Sequence, residues 1–121
     1  MTARIIVVED ESLIALMLED LLMEFGHCVV GVAGNLSQAK ALAAAGGFEI
    51  ALLDVNLAGE QTSDLARSLL SQGVGVVMAT GYGVSGVEPD LVDRVITLQK
   101  PIDETALAAA IDRLTKKEAA P

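Results

Sequence analysis

The sequence predicts an α/β domain: a parallel sheet of five strands with helices on both faces. Two observations predict it. Short apolar runs rich in Val and Ile alternate with longer segments whose apolar residues recur every three or four positions. The runs are nearly unbroken by polar residues, as in strands buried on both faces.

The first run, Ile5 to Val8, is a strand. Ser12 offers an N-cap to the helix that follows, with Leu13, Leu16, Met17, Leu21, Leu22 and Phe25 as its apolar stripe and Gly26 at its end. Cys28 to Val32 is the second strand, broken by Gly34-Asn35. Ser37 can cap a helix over Gln38 to Ala45, stopped by Gly46-Gly47. The third strand, Ile50 to Leu53, ends at Asp54, and a loop over Asn56 to Gln61 leads to a helix from Thr62 or Ser63 to Ser71. Gly73 stops that helix, and the fourth strand is Val74 to Ala79. Gly81 to Pro89 reads as a loop, with one helical turn expected over Asp90 to Asp93. Val95 to Leu98 is the fifth strand. Asp103 caps the last helix, which buries Leu107, Ala110, Ile111 and Leu114 and carries Lys116-Lys117 in its last turn. Right-handed crossovers favour the flavodoxin-like strand order 2-1-3-4-5. Residues 1–117 form the domain, and 118–121 are expected to be a flexible tail.

Composition narrows the function. The 121 residues are 52% hydrophobic, enough for one core. The net charge of −9 argues against nucleic acid and anionic membrane surfaces as partners. One cysteine, Cys28, allows neither an intrachain disulfide nor a cysteine zinc cluster; it reads as a small core residue. The lone His27 reads as a surface residue. No run approaches the roughly 18 apolar residues of a spanning helix, and the N-terminus does not resemble a signal peptide. The expectation is a cytoplasmic protein.

In an open doubly wound sheet, sites form at the carboxyl ends of the strands. There the chain places Glu9-Asp10-Glu11 after the first strand and Asp54 after the third. Thr80-Gly81 follows the fourth strand and Lys100-Pro101 the fifth. Clustered carboxylates repel unless a cation intervenes, and oxygen ligands suit a hard ion such as magnesium, Mg²⁺. An Asp can serve as a nucleophile towards phosphorus, while a lysine and a threonine hydroxyl can hold phosphoryl oxygens. Singly, each has an ordinary explanation: helix cap, loop hydroxyl or solvated lysine. Their conjunction at four strand ends is what points to phosphoryl chemistry.

The set Val7-Val8-Glu9-Asp10-Glu11, Leu52-Leu53-Asp54-Val55-Asn56, Thr80 and Lys100-Pro101 strongly resembles the receiver domain of two-component response regulators, over essentially the whole chain. The resemblance implies that Asp54 accepts a phosphoryl group from a histidine kinase. It implies Mg²⁺ surrounded by Glu9, Asp10, Asp54 and the backbone carbonyl of Asn56, with Thr80 and Lys100 on the phosphoryl oxygens. It also implies a cis Lys100-Pro101 peptide. Met78-Ala79-Thr80-Gly81-Tyr82-Gly83 looks like the FATGUY subgroup, whose members are usually stand-alone receivers of Alphaproteobacteria linked to kinases of the HWE type. Two positions depart from the common pattern. Thr97 stands where most receivers carry an aromatic switch, and Ala58 where a proline is usual. Tyr82 is therefore a switch candidate, and Gly81 to Asp93 the expected signalling segment.

The implied function is a single-domain response regulator, not an enzyme, which acts through protein contacts or as a phosphate sink. A flavodoxin-like FMN binder is the alternative from another class, but acids stand where its phosphate-cradling loop would be. A haloacid dehalogenase-type phosphatase would need its paired Asp residues at the first strand. A pseudo-receiver that is never phosphorylated fits poorly with an intact Asp54, Thr80 and Lys100.

Overall fold

The computed structural model describes the backbone of residues 2–119 and the side chains of residues 2–116. The elements in chain order are β1 (Arg4–Val8), α1 (Ser12–Glu24), β2 (Cys28–Ala33), α2 (Leu36–Ala45) and β3 (Ile50–Asp54). There follow β4 (Asn56–Leu57), β5 (Glu60–Gln61), α3 (Ser63–Ser71), β6 (Gly75–Thr80), a 3₁₀ turn (Gly83–Gly86), β7 (Ile96–Gln99) and α4 (Glu104–Ala119). The main sheet is parallel in the order β2-β1-β3-β6-β7. Counting its own strands alone, that is 2-1-3-4-5, as expected. Among the described residues, no helix is long and apolar enough to cross a membrane.

The sheet divides the core into two layers because alternate side chains of a strand point to opposite faces. Ile6, Val8, Ala51, Leu53, Val76 and Met78 pack towards α2 and α3, against Ala39, Leu65 and Leu69. Ile5, Val7, Ile50, Leu52 and Val77 pack towards α1 and α4, against Leu18, Leu22, Leu107 and Ile111. All five residues of β3 are buried, which explains why that run carries no alternation.

Several local expectations are corrected. Helix α1 buries Ala15, Leu18 and Leu22. Leu13, Leu16 and Met17 are 77%, 54% and 61% exposed, so they are not on its core face. The helix is apolar on most sides, and spacing alone could not choose the buried one. Ser12 is the first helical residue, not the cap; Glu11 holds the cap position without a side-chain bond. At α2 the cap is Asn35, not Ser37, and its side chain accepts from the Gln38 amide at 2.8 Å. Cys28 is exposed because β2 is an edge strand. Its register with β1 shifts between Ile5 and Ile6, which leaves Val30 unpaired at a bulge. Strands β6 and β7 each lie one residue later than the apolar runs suggest, at Gly75–Thr80 and Ile96–Gln99. Helix α4 runs to Ala119, past Lys117; Ala120 and Pro121 lie outside the described residues.

The expected loop after β3 is a small antiparallel hairpin, with Asn56 opposite Gln61 and Leu57 opposite Glu60. Its two turn residues, Ala58 and Gly59, have φ of 51° and 88°. Both angles are positive, as a tight type I′ connection requires. A proline at 58 could not adopt that φ, so the departure from the common pattern has a structural cause.

The segment between β6 and β7 has no α-helix, and the helical turn expected over Asp90 to Asp93 is a series of hydrogen-bonded turns instead. The 3₁₀ turn precedes them. Val87 and Leu91 anchor it in the core. From outside, Arg67 on α3 donates to Glu88 and to both carboxylate oxygens of Asp90, each at 2.8–2.9 Å. The Arg67 bonds hold the Asp90 carboxyl below the ordinary range.

His27 is half-buried, not a plain surface residue, and its Nδ1 accepts from the Ala3 amide at 3.0 Å. Burial holds its pKa below 6.5. Only the neutral ring can accept that bond, so the folded state resists the proton that the unfolded chain takes up. Stability from this group is complete above pH 6.5 and falls as the pH drops through 6.5 towards the folded pKa. Melting temperature should decline between pH 7.5 and 5.5, by about 1–3 °C from this group. His27→Asn, whose Oδ1 accepts the same bond without titrating, should lose that part of the decline; an unchanged slope would assign it to the carboxylates.

Candidate functional site

The carboxyl ends of β1, β3, β6 and β7 meet at one edge of the sheet, because all these strands run parallel. Glu9 follows β1 and is 4% exposed, and Asp54 ends β3 at 6% exposed. Asp10 beside them is exposed. One carboxylate oxygen from each of the three lies within 4.8 Å of the others. From the far side, Lys100 Nζ donates to Asp54 Oδ2 at 2.8 Å and lies 3.5 Å from Glu9 Oε1. Backbone bonds aim it there. The Lys100 amide donates to the Thr80 carbonyl at 2.8 Å, which ties the end of β7 to the end of β6. The Lys100-Pro101 peptide is cis, as the resemblance implied.

Two like charges about 4 Å apart repel by about 4 kcal/mol at the effective dielectric of a protein surface. The cluster answers this repulsion in two ways. Burial, with the Asp54 and Asp10 carboxyls nearby, pushes the Glu9 pKa up against the pull of Lys100 and the Glu11 amide. Burial alone would lower the Lys100 pKa, but its bonds to Asp54 and Glu9 raise it, so the ammonium is retained. With all four groups ionised, three carboxylates against one ammonium leave a formal charge of −2. Clustered hard oxygen donors with that residual charge fit a divalent cation of the Mg²⁺ kind.

Asp54 is also fixed from its own loop. Its Oδ1 accepts from the Asn56 amide at 3.2 Å. The Asn56 side chain turns away and accepts from the Gly59 amide at 2.9 Å, within the hairpin. Next to Asp54 opens a cavity of about 130 Å³ lined by Asp54, Asn56, Gln61, Thr80, Tyr82 and Gly86, among others. Thr80, 3% exposed, accepts from the Tyr82 amide through Oγ1 at 3.1 Å. The Tyr82 side chain itself is 82% exposed at the rim.

The structure thus brings Glu9, Asp10, Asp54 and Lys100 into one cluster and places Thr80, Asn56 and Tyr82 around the adjoining cavity. Sequence reasoning missed two contributors. Thr62 reads as a helix start, yet its hydroxyl donates to the Asp54 carbonyl at 2.7 Å and so holds the end of β3. Gly86 reads as a loop glycine, yet it lies against Thr80. Neither contact has a sequence signal, since each depends on how distant segments meet.

A family model described as the response regulator receiver domain matches residues 5–112. The transcriptional regulatory protein AruR of Pseudomonas aeruginosa is 33% identical over 110 residues, which cover 86% of this chain and 42% of that protein. The chain spans about half the length of the curated relatives it matches. The receiver domain of the PhyR response regulator of Erythrobacter litoralis superposes with a TM-score of 0.86 at 28% identity, covering 99% of this chain and 95% of that one. SdrG of Sphingomonas melonis Fr1 superposes with a TM-score of 0.81 at 37% identity, covering 94% and 97%.

Proposed function

The chain belongs to the response regulator receiver family, and on that premise we propose that Asp54 accepts a phosphoryl group from the phosphohistidine of a histidine kinase. The observation that carries this reading is the Lys100 ammonium 2.8 Å from the buried Asp54 carboxylate, beside two further acids. In the transfer, a carboxylate oxygen of Asp54 attacks phosphorus, the P–N bond breaks, and the imidazole leaves. Lys100 supplies fixed positive charge to a phosphoryl oxygen, and the Thr80 hydroxyl donates to another. Glu9, Asp10 and Asp54, with the Asn56 carbonyl, would hold Mg²⁺, which when bound offsets the negative charge of the incoming group. SdrG also has a solved beryllofluoride-activated conformation, which supports the reading.

On this proposal the protein is a cytoplasmic phosphoacceptor, not an enzyme. It acts as a stand-alone receiver of the FATGUY type with a kinase of the HWE type as donor. Its output is either contact with a downstream protein or withdrawal of phosphate from another regulator. Tyr82, exposed at the cavity rim, stands as the switch in place of an aromatic at Thr97.

Acetyl phosphate with Mg²⁺ should add the mass of one phosphoryl group to the intact protein, and chelating the metal should prevent it. An unchanged mass under saturating acetyl phosphate would overturn the reading.

A further inference from the structure

We propose that Gly86 is a positioning residue: by lacking a side chain it sets where the Thr80 hydroxyl points, and so whether that hydroxyl can serve a phosphoryl group on Asp54. The proposal rests on the phosphoacceptor reading and adds a residue to it. Gly86 closes the 3₁₀ turn Gly83–Gly86, and it lines the same cavity as Asp54 and Thr80. Its φ is not in the left-handed region, in contrast to Gly83 at 60°. Backbone conformation therefore does not require glycine at 86. Space does. A Cβ there would stand 2.1 Å from Thr80 Oγ1, 3.2 Å from Thr80 Cβ and 3.3 Å from Tyr82 Cβ.

The hydroxyl is thereby held between two parts of one turn. The Tyr82 amide donates to it at 3.1 Å, and the bare Cα of Gly86 packs against it. Accepting from Tyr82 uses an oxygen lone pair and leaves the hydroxyl proton free for an acceptor, which a phosphoryl oxygen is. Threonine is stiff at χ1, with three staggered wells. Adding a methyl group at 86 removes the present well. Of the two others, one puts the larger Thr80 methyl where the oxygen was, which is worse. The well that remains turns a hydrogen towards residue 86 and carries the hydroxyl away from the Tyr82 amide. The glycine thus matters through Thr80, without touching the phosphoryl group.

The test is a double-mutant cycle read by beryllofluoride binding in Mg²⁺ and by exchange of the Tyr82 amide in the free protein. Thr80→Ala should weaken beryllofluoride binding roughly tenfold, the loss of one hydrogen bond to a charged group. Gly86→Ala should weaken it by about the same factor, and the double variant no further than Thr80→Ala alone. Thr80→Ser in the Gly86→Ala background should not restore binding, because the serine oxygen meets the same added methyl group in the well that accepts from Tyr82. Free of ligand, both Gly86→Ala and Thr80→Ala should speed Tyr82 amide exchange several-fold. The proposal is overturned by wild-type affinity in Gly86→Ala, or by losses that multiply in the double variant. If the wild type itself fails to bind beryllofluoride, the phosphoacceptor reading fails. Tyr82 exchange then still decides whether Gly86 places the hydroxyl.

Discussion

With Asp54 replaced by Asn, the phosphoryl gain from acetyl phosphate and Mg²⁺ should fall to zero while the protein stays folded. An amide oxygen carries no charge and is a poor nucleophile towards phosphorus, so the chemistry stops. The shape is kept: Asn can still accept from the Asn56 amide and fill the same space beside Thr80. The energetic balance is also kept, within limits. The substitution removes the 2.8 Å ion pair with Lys100, whose side chain is 31% exposed and retains Glu9 as a partner at 3.5 Å. It also removes one of three carboxylates that repel one another. Melting temperature should therefore move by only about 1–4 °C in either direction, which separates lost chemistry from lost fold. Mass gain that persists in Asp54→Asn would transfer the acceptor role to Glu9 or Asp10.

The parts of this protein legible in its sequence are those set by burial on both faces or by chain order. Ile5 to Val8 and Ile50 to Leu53 read as central strands because only a doubly covered strand tolerates so unbroken an apolar run. The strand-end residues Glu9, Asp54, Thr80 and Lys100 read as one cluster because parallel strands deliver their carboxyl ends to one edge. What escaped reading depends on which neighbour covers what. Cys28, Val30 and Val32 form a run of the same kind as β1, but an edge position and a bulge leave them exposed. The face of α1 was ambiguous because Leu13, Leu16 and Met17 are as apolar as the buried Ala15, Leu18 and Leu22. Asn35 is the cap in place of Ser37 because the helix begins at Leu36, whose side chain already packs on the core. Thr62, Arg67 and Gly86 act on Asp54, Asp90 and Thr80, which lie 8, 23 and 6 positions away, and how those segments meet has no sequence code.

Mg²⁺ should raise the melting temperature of the wild-type protein, and Asp10→Ala should remove most of that rise. Lys100 already pairs with Asp54 and Glu9, and the exposed Asp10 is outside that pairing. Asp10 is therefore the carboxylate whose charge is least offset, and the one an incoming cation gains most from meeting. An ion that binds only the folded state stabilises it by about 2.7 kcal/mol at 100 times its dissociation constant. For a domain of this length that is a rise of about 8–15 °C. Losing one charged ligand out of a small oxygen set should weaken binding by about 100-fold, on the scale of a charge-assisted contact. At the same Mg²⁺ concentration the rise would then shrink to about 1–3 °C. Without metal, the variant should melt no lower than the wild type, since a repelling carboxylate has gone and no hydrogen bond of the fold is lost with it. The two halves together exclude a general loss of stability: the metal-dependent part disappears while the metal-free part is unharmed. An equal rise in Asp10→Ala would place the ion away from Glu9, Asp10 and Asp54.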